Sequence, residues 1–362
     1  MRLLVGGAAT FDAITEAVRA ATHHVHLEYY IYEPDVTGTA LRDLLAEKAR
    51  QGVQVRLLVD ALGSKKLGRK FLKPLLDAGA EVARFHDAKI GRRLRPVINF
   101  RTHRKILVCD GKVGFTGGVN VTDEENERIC ADAYHDVHLQ MEGAIVGWLQ
   151  TVFMEDWAYA NDHNPRQLPE KLEEWLPDCD DGNKLMQVVT SGPDNRLDAI
   201  YRAYLAAINA AEKRIWLTTP YFVPTEAALA ALTNASLRGV DVRILVPKKS
   251  DSALVTAAAR SYFDELIRCG VRVYEYEASM LHSKTLAVDD NLAIIGTANF
   301  DYRSFFLNYE VCVMGYGPDL NQALAQQFLA DLKNSLAVPY KSEKRFFRRV
   351  FDSAARLTSP LL

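Results

Sequence analysis

The apolar residues of this chain recur at two different spacings, and these spacings alternate along the sequence. Recurrence every three to four positions is typical of amphipathic helices. It predicts helices over 11–20, 39–50, 67–78, 197–211, 226–237 and 252–268. Between them lie short, strongly apolar runs that predict buried strands. Strands that alternate with helices indicate βαβ units, so we expect an α/β fold with helices on both faces of each sheet.

The two halves have the same order of elements, and the sequence repeats with a period near 190 residues. VHLEYYIYEP at 25–34 corresponds to RIWLTTPYFVP at 214–224, GVQVRLLVD at 52–60 to GVDVRILVP at 239–247, and GAEVARFHD at 79–87 to GVRVYEYEA at 270–278. Such a repeat indicates a duplicated structural unit. We therefore predict two tandem, pseudo-twofold-related domains, each with a mixed, mostly parallel sheet flanked by helices.

Residues 155–184 differ from both halves, because they contain three prolines, two tryptophans and a run of acidic side chains. This composition predicts an inter-domain linker, with a short helix at 168–176. The predicted organisation is a first domain at 1–154, the linker at 155–184, a second domain at 185–340 and a tail at 341–362.

The composition narrows the class of protein. With 362 residues, 48% of them hydrophobic and 25% charged, the chain is typical of globular proteins rather than disordered or collagen-like ones. No window approaches the ~18 apolar residues of a membrane span, and the N-terminus does not resemble a signal peptide. Five cysteines without a CxxC pair predict reduced thiols in a cytosolic setting.

The most informative pattern is a motif that occurs once in each half. HRKILVCD at 103–110 and HSKTLAVD at 282–289 both read HxKxxxxD, and each is followed by a glycine and an asparagine at the same distances. At roughly one in twenty per position, five fixed residues recur by chance in about one of three million windows. The predicted catalytic residues are His103, Lys105, Asp110, His282, Lys284 and Asp289, supported by Gly117, Gly296, Asn120 and Asn299.

These residue types suit phosphoryl transfer. Residues two apart on a strand share a face, so the histidine and lysine of each motif are expected on one side. A hairpin turn after each motif is expected to return the asparagine beside them. If the halves face one another, cations and amides can stabilise charge on phosphorus, while one histidine attacks and the other moves a proton. This chemistry requires no metal and no other cofactor.

Asp136 and Glu310 lie in strand-like runs after the motifs and are the predicted orienters of the histidines, with surface carboxylates as the alternative. For the motif aspartates, direct participation and local bonding in a turn both remain open.

The glycines after the motifs allow either close approach of backbone to phosphate or tight packing. Two groups of histidines, at 23–26 and 135–138, invite a metal hypothesis, but neither has a ligand set at zinc spacing. We predict no metal site, and a structural role for His24 and His26.

The doubled motif resembles that of the phospholipase D superfamily, and the sequence around it resembles the bacterial cardiolipin synthases in detail. The runs that carry the resemblance are LEYYIYEPDVTGTALRDLLAEKARQGVQVRLLVDALGS (27–64), HRKILVCDGKVGFTGGVNVTDE (103–124), PYFVPTEAALAAL (220–232), HSKTLAVDDNLAIIGTANFDYRSFFLNYEV (282–311) and ARLTSPLL (355–362). The resemblance implies transfer of a phosphatidyl group from phosphatidylglycerol to His103 and then to a second phospholipid, with His282 as general acid and base.

Many cardiolipin synthases begin with two transmembrane helices, whereas this sequence opens at the catalytic region. We therefore expect either a short form without those helices or a trimmed chain. The resemblance leaves a phospholipase D-type hydrolase and a nucleic-acid phosphodiesterase as alternatives, and the intact motifs argue against a non-catalytic lipid-binding protein.

The net charge of −2 conceals strongly charged segments, since residues 65–105 carry +10, 106–182 carry −13 and 341–356 carry +4. An insertion in the first half, AKIGRRLRPVINFRT, and the tail are both basic and partly apolar. A basic amphipathic helix can lie on an anionic membrane, although the tail can equally pack on its own domain. The predicted lipid contacts are Arg92, Arg93, Arg95, Phe347, Arg348 and Phe351.

The partner expected from these features is an anionic phospholipid membrane containing phosphatidylglycerol, at the cytoplasmic side of the bacterial inner membrane. We expect no nucleic-acid partner, and the sequence does not predict an oligomeric state.

Overall fold

The computed structural model describes residues 1–86, 99–161, 172–177, 182–195 and 197–340. The chain divides into two compact units, Met1–Asn183 and Lys184–Leu362. The predicted lipid contacts at 92–95 and 347–351 lie outside the described residues, as do the tail at 341–362, much of the proposed linker and Cys179.

The first unit is built around a sheet that has seven strands among its described residues, in the order β1-β7-β6-β5-β2-β3-β4. The strands are β1 (Arg2–Val5), β2 (His24–Tyr29), β3 (Gln54–Asp60), β4 (Glu81–Phe85), β5 (Lys105–Cys109), β6 (Val113–Gly117) and β7 (Val137–Glu142). The helices are α1 (Gly7–Ala20), α2 (Val36–Arg50), α3 (Arg69–Asp77) and α4 (Ile145–Ala160). All residues of β2 and β5 are buried, because helices cover this sheet.

The second unit repeats this plan, with eight strands in its described sheet, in the order β17-β12-β11-β9-β13-β14-β16-β8. Its sheet strands are β8 (Leu185–Ser191), β9 (Arg214–Thr218), β11 (Asp241–Pro247), β12 (Arg272–Tyr276), β13 (Thr285–Val288), β14 (Leu292–Gly296), β16 (Glu310–Tyr316) and β17 (Ser335–Ala337). Two short strands, β10 (Phe222–Val223) and β15 (Phe300–Asp301), pair separately. The helices are α5 (Ala199–Ala210), α6 (Glu226–Leu237), α7 (Ala253–Arg268), α8 (Tyr302–Phe306) and α9 (Pro318–Leu332).

The six helices predicted from apolar spacing are confirmed as α1, α2, α3, α5, α6 and α7. Their apolar faces contribute to the core of each unit, as Ile14 and Val18 of α1 illustrate by their almost complete burial. Helices α4 and α9 were not predicted. Each follows the last strand of the duplicated motif region and packs on that part of the sheet.

The expectation of mostly parallel sheets is wrong, although the sheets are mixed and flanked by helices as predicted. Parallel pairing is confined to β2-β3-β4 in the first sheet and to β9-β11-β12 in the second. The other strands pair antiparallel. For β5 with β6 and β13 with β14 the reason is that the connection after each motif is too short for a crossover helix. The βαβ spacing describes only the first three strands of each duplicated unit.

Both predicted hairpins are confirmed. Strands β5 and β6 pair antiparallel around Asp110 and Gly111. Strand β13 pairs antiparallel with β14 around the turn Asp289-Asp290-Asn291. Asp110 has a φ of 55° and Asp289 a φ of 49°, both in the left-handed region that aspartate tolerates in turns.

Two further predictions concern the linker and the membrane. The described residues 172–177 include a short 3₁₀ helix at Leu172–Trp175, within the region predicted to hold a helix. In the part of the chain that the structure describes, we find no helix with both the length and the apolar composition needed to cross a bilayer.

Candidate active site

The histidine and lysine of the first motif lie at the start of a central strand. Strand β5 begins at Lys105, so His103 belongs to the segment that leads into the strand rather than to the strand itself. Lys105 is fully buried, and its Nζ donates a hydrogen bond to the carbonyl oxygen of His103 at 3.0 Å. The ring of Tyr30 lies edge-on to the imidazole, with 4.9 Å between ring centroids. The Lys105 ammonium and the Tyr30 ring thus lie against His103, which is itself buried.

The second motif is built in the same way. His282 precedes β13, Lys284 is almost fully buried, and its Nζ donates to the carbonyl oxygen of His282. An ammonium has three donors, and this bond occupies one of them. The same internal bond occurs in both units and holds each lysine to the backbone of its own motif histidine.

Each asparagine lies just beyond the second strand of its hairpin. Asn120 is buried, and its Nδ2 donates to Oε1 of Glu125 at 2.6 Å. Asn299 is also buried, and its backbone N–H donates to Oγ of Ser304 at 3.1 Å.

Glu125 is a residue that the sequence analysis missed, because it belongs to the acidic run TDEENE, which has the appearance of a solvated surface. Its side chain is buried instead, and it holds the Asn120 amide. Glu125 and Ser304 each follow their asparagine by five residues. Because the two residues are of different types, the internal repeat marks neither of them, and only the hydrogen bonds identify them as partners of the asparagines.

Asp136 and Glu310 occupy equivalent places in the two units. In the sheet registers Gly117 pairs with His138 and Gly296 with Cys312, so each carboxylate lies two residues before the partner of a motif glycine. Both side chains are fully buried, which excludes the alternative of surface carboxylates. The sequence had placed them 33 and 28 residues after their histidines, and the strand pairing explains why the unequal spacing is equivalent.

The surroundings of these carboxylates differ between the units. Oε2 of Glu310 accepts from Oγ1 of Thr297 at 2.5 Å, and its Oε1 accepts from Nδ2 of Asn308 at 3.3 Å. The residue equivalent to Thr297 is Gly118, where a Cβ atom would lie 2.1 Å from Oδ1 of Asp136. In the first unit the shorter carboxylate of Asp136 lies beside a glycine. In the second unit the longer carboxylate of Glu310 lies beside a threonine hydroxyl.

The motif glycines serve packing in this structure. A Cβ on Gly117 would lie 2.7 Å from the backbone of His138, and one on Gly296 would lie 2.4 Å from the carbonyl oxygen of Val311. The hairpin strands therefore approach their neighbours more closely than any side chain permits. The sequence allowed either tight packing or close approach of the backbone to phosphate at these glycines. The contacts at Gly117 and Gly296 support tight packing.

Asp110 and Asp289 do not accompany the histidines. Each follows the last residue of its strand, in the hairpin turn. At a rise of ~3.4 Å for each residue this is about 17 Å from the lysine. Asp110 accepts from the backbone N–H groups of Thr22, His23 and His24 at 2.8–3.0 Å. Asp289 accepts equivalently from the N–H groups of residues 212–214.

The prediction that these two aspartates are catalytic is therefore replaced by a structural assignment. Burial acts to raise the pKa of Asp110, but the N–H donors outweigh it and hold that pKa below the ordinary value. An ionised carboxylate that binds three successive N–H groups fixes the chain where it enters β2, and the same construction fixes the entrance to β9.

The histidines considered as metal ligands have other partners or surroundings. His24 Nε2 and His26 Nδ1 both contact the side chain of Gln150, at 3.0 and 2.8 Å. Burial lowers the pKa of His24 to about 4, and it lowers that of His26 well below its ordinary value. Burial also lowers the pKa of His138 to about 3. Neutral, buried rings of this kind support the structural role predicted for His24 and His26.

Comparison with known proteins gives a consistent result. The family model described as "Cardiolipin synthase, PLD-like domain" matches residues 14–157 and 204–332. A cardiolipin synthase of Geobacillus sp. (strain WCH70) is 44% identical over 370 residues, covering 100% of this chain and 72% of that protein. Cardiolipin synthase 2 of Bacillus anthracis is 43% identical over 373 residues, covering 100% and 70%.

Solved structures share the fold at low sequence identity. Phosphatidylserine synthase of Haemophilus influenzae Rd KW20 superimposes with a TM-score of 0.75 at 13% identity, covering 100% of this chain and 95% of that one. Polyphosphate kinase of Porphyromonas gingivalis gives a TM-score of 0.62 at 12% identity, covering 99% and 53%. These likenesses concern the fold alone.

Proposed function

Because this chain belongs to the family of cardiolipin synthases with phospholipase D-like domains and is a phosphatidyltransferase, we propose that it makes cardiolipin from phosphatidylglycerol and a second phospholipid. The reaction runs through a phosphatidyl-histidine intermediate. The observation that carries the proposal is the buried lysine bonded to the carbonyl of its own motif histidine, which occurs in both units.

In the first step an imidazole nitrogen of His103 attacks the phosphorus of phosphatidylglycerol, and the bond from phosphorus to the headgroup glycerol breaks. His282, in its protonated form, gives its proton to the departing glycerol oxygen. In the second step His282 takes the proton from a hydroxyl of the second phospholipid. That oxygen bonds to phosphorus, the phosphorus–nitrogen bond breaks, and both histidines return to their starting forms.

The lysines and asparagines stabilise the charge that develops on the non-bridging oxygens. Lys105 and Lys284 are buried cations held in place before substrate arrives, and such preorganised charge is worth more in a water-poor site than in water. The contact between Asn120 and Glu125 holds one amide in a fixed orientation. Asp136 and Glu310 act as orienters of the catalytic histidines, following the logic of a catalytic triad.

The enzyme reaches its substrate at an anionic membrane surface, as a peripheral protein on the cytoplasmic side of the inner membrane. The support for this part of the proposal is the sequence charge, +10 over residues 65–105 and +4 over 341–356. Each basic residue near an anionic bilayer contributes on the order of 1 kcal/mol of attraction. Arg92, Arg93, Arg95, Phe347, Arg348 and Phe351 are the proposed contacts with lipid.

Product analysis tests the function. The purified protein is incubated with vesicles of phosphatidylglycerol, with mixed phosphatidylethanolamine and phosphatidylglycerol, and with single-stranded DNA, and the products are identified by mass spectrometry. We expect cardiolipin and free glycerol. Phosphatidic acid without cardiolipin would indicate a hydrolase, and cleaved DNA would indicate a nucleic-acid phosphodiesterase; either result contradicts the proposal.

Histidine variants test the intermediate. We expect His103→Ala and His282→Ala each to lower cardiolipin formation by at least about 10³-fold, because each removes an essential group. A phosphatidyl ester of p-nitrophenol needs no proton on its leaving group, so His282→Ala should still release p-nitrophenol in a burst and retain a covalent label. His103→Ala should do neither. A label retained by His103→Ala, or turnover by either variant at the wild-type rate, contradicts the assigned roles.

A further inference from the structure

We propose that a buried polar network positions His103, and that this network makes the first motif histidine different from the second. The network consists of Glu28, Asp60, Thr102, Arg104 and Asp156. The proposal rests on the proposed function only in taking His103 as a reacting residue. None of these five is a fixed residue of the HxKxxxxD pattern or one of its glycines and asparagines; Arg104 occupies the variable position between His103 and Lys105.

Thr102 connects the segment before β5 to two neighbouring strands. It is fully buried, and its Oγ1 donates a hydrogen bond to Oε1 of Glu28 on β2. Its backbone N–H donates to Oδ2 of Asp60, the last residue of β3, at 3.2 Å. The residue immediately before His103 is thus held by both its side chain and its backbone.

Arg104 fixes the segment on the other side of His103. Its Nη1 donates to Oδ2 of Asp156 on α4, and both side chains are almost completely buried. A buried, charge-assisted bond of this kind is strongly directional. His103 therefore lies in the chain between two residues that are anchored to three elements, namely β2, β3 and α4.

The charges balance if Glu28 keeps its proton and Arg101, which lies beside Asp60, is counted with the network, since two guanidinium groups then accompany two carboxylates. Burial raises the pKa of Glu28 well above its ordinary value, the nearby charge of Asp156 raises it further, and Arg104 opposes them. A neutral Glu28 leaves Asp156 paired with Arg104. Asp60 accepts from the N–H groups of Leu62 and Gly63 at 2.9 Å, and Arg101 lies 3.7 Å from it.

The second unit has apolar packing at the same place. Leu281 stands immediately before His282, where Thr102 stands before His103, and Ser283 replaces Arg104. The registers of β2 with β5 and of β9 with β13 make Thr218 the equivalent of Glu28. Leu281 is fully buried in a cluster with Trp216, Leu245, Tyr276, Ala325 and Phe328.

This difference is the reason to assign the network a role in the reaction. The same fold forms with a leucine at this position, so the polar version is not required for folding. Burying charges costs desolvation energy that apolar side chains avoid, whereas a satisfied polar network holds its members in one arrangement. Nucleophilic attack requires the reacting atoms within about 3–3.5 Å and in line. A directional support is therefore expected beneath the histidine that attacks.

The test compares two substitutions of one residue. Thr102→Val preserves the shape of the side chain and removes its hydroxyl, while Thr102→Ser preserves the hydroxyl. We expect Thr102→Val to lower kcat about 10- to 100-fold with KM for phosphatidylglycerol within about twofold of wild type, because a misplaced nucleophile slows chemistry rather than binding. Thr102→Ser should restore kcat to within about threefold. Thr218→Val, the same change at the position of the second unit that corresponds to Glu28, is the control and should leave kcat unchanged.

Glu28 provides an independent second pair, should Thr102→Val fail to fold. Glu28→Gln retains an oxygen that accepts a hydrogen bond from the Thr102 hydroxyl, so its kcat should stay near the wild-type value. Glu28→Leu has no acceptor, so its kcat should fall as expected for Thr102→Val. Activities are normalised to folded protein measured by circular dichroism. Wild-type kcat in folded Thr102→Val, or equal kcat in the two Glu28 variants, overturns the proposal.

The outcome is separable from that of the proposed function. If wild-type enzyme forms no covalent phosphatidyl label, the proposed intermediate fails, yet glycerol release by the same variants still measures whether the network positions His103. If the label forms and the variants release glycerol at the wild-type rate, the positioning network fails alone.

Discussion

The carboxylate of Asp136 occupies space that any side chain at position 118 would need. Gly118 is the sequence neighbour of the motif glycine Gly117, and its place in the second unit is taken by Thr297. There the acid is Glu310, whose longer side chain accepts from the threonine hydroxyl. Glycine thus lies beside aspartate in the first unit, and threonine lies beside glutamate in the second. We therefore expect a substitution at position 118 to change the position of the Asp136 carboxylate.

This coupling predicts a large effect of a single methyl group. In Gly118→Ala the new Cβ would lie 2.1 Å from Oδ1 and 2.2 Å from Oδ2 of Asp136, so the carboxylate must move. We expect kcat to fall at least about 10-fold because an orienting group is displaced, and the free energy of unfolding to fall by about 1–3 kcal/mol from overpacking. Steady-state kinetics and urea denaturation measure the two effects. Gly182→Ala is the control, since nothing lies within 4 Å of its Cβ position; equal behaviour of the two variants would refute a displaced orienter.

Some site residues can be found from sequence and others cannot. The duplicated motif identified His103 and Lys105 because the same types recur at the same spacing in both halves. Thr102 and Glu28 have no such signal, since Leu281 and Thr218 replace them, and their contact joins residues 74 apart in sequence. Glu125 is recognisable only once its hydrogen bond to Asn120 is seen. Residues that act in one unit alone leave no trace in an internal comparison.

At the scale of elements, each hairpin that carries a motif is tied to the strand beside it through the aspartate at its turn. The carboxylates of Asp110 and Asp289 bind the N–H groups that lead into β2 and β9. These are the central strands against which β5 and β13 pair. The aspartate that completes the HxKxxxxD pattern therefore fixes the position of the whole hairpin, and through it the lysine at the hairpin's other end.

This role separates the aspartates from the histidines in an experiment. We expect Asp110→Asn and Asp289→Asn each to lower the free energy of unfolding by about 1–2 kcal/mol, because an amide replaces a charged acceptor of several N–H groups. The kcat of the folded variants should remain within about threefold of wild type. Urea denaturation and steady-state kinetics measure both quantities. Asp290→Asn is the control, as Asp290 is exposed and makes only surface ion pairs. A loss of kcat of the size expected for the histidine variants would restore the catalytic assignment.

Apolar spacing predicted helices well and strand pairing poorly, for a physical reason. A helix such as α7 satisfies its own backbone, so its apolar face can be recognised in a short window of sequence. A strand such as β7 pairs with β1 and β6, and the distance in sequence to such partners varies. The alternation of helices with strands in 25–85 suggested a mostly parallel sheet. Short turns reveal the antiparallel pairs β5–β6 and β13–β14, whereas β7 and β16 follow long connections and their pairing leaves no local signal.

At the scale of the whole molecule, duplication and asymmetry occur together. Each unit has its own sheet, its own motif and its own buried lysine. The first unit adds a charged network around its histidine, and the first half of the sequence also carries the basic segment at 65–105. Duplication thus provides two sets of the same residue types, and the charged network of the first unit distinguishes one set from the other.

The tail offers a test of the proposed membrane partner that keeps every helix and strand described above. Strand β17 pairs with β12, and the N–H of Val338 donates to the carbonyl oxygen of Val273 at 2.9 Å, so a chain ending at Tyr340 keeps these contacts. Truncation there removes the +4 segment at 341–356. We expect cosedimentation with phosphatidylglycerol vesicles to weaken at least about 10-fold at low salt, and the difference to shrink as salt screens the charge. Binding to phosphatidylcholine vesicles should not change.

Phe347→Ala with Phe351→Ala retains the charge and separates the apolar contribution from it. Unchanged cosedimentation of the truncated protein would mean that the tail is not a membrane contact and that attraction to lipid arises from the first half of the chain.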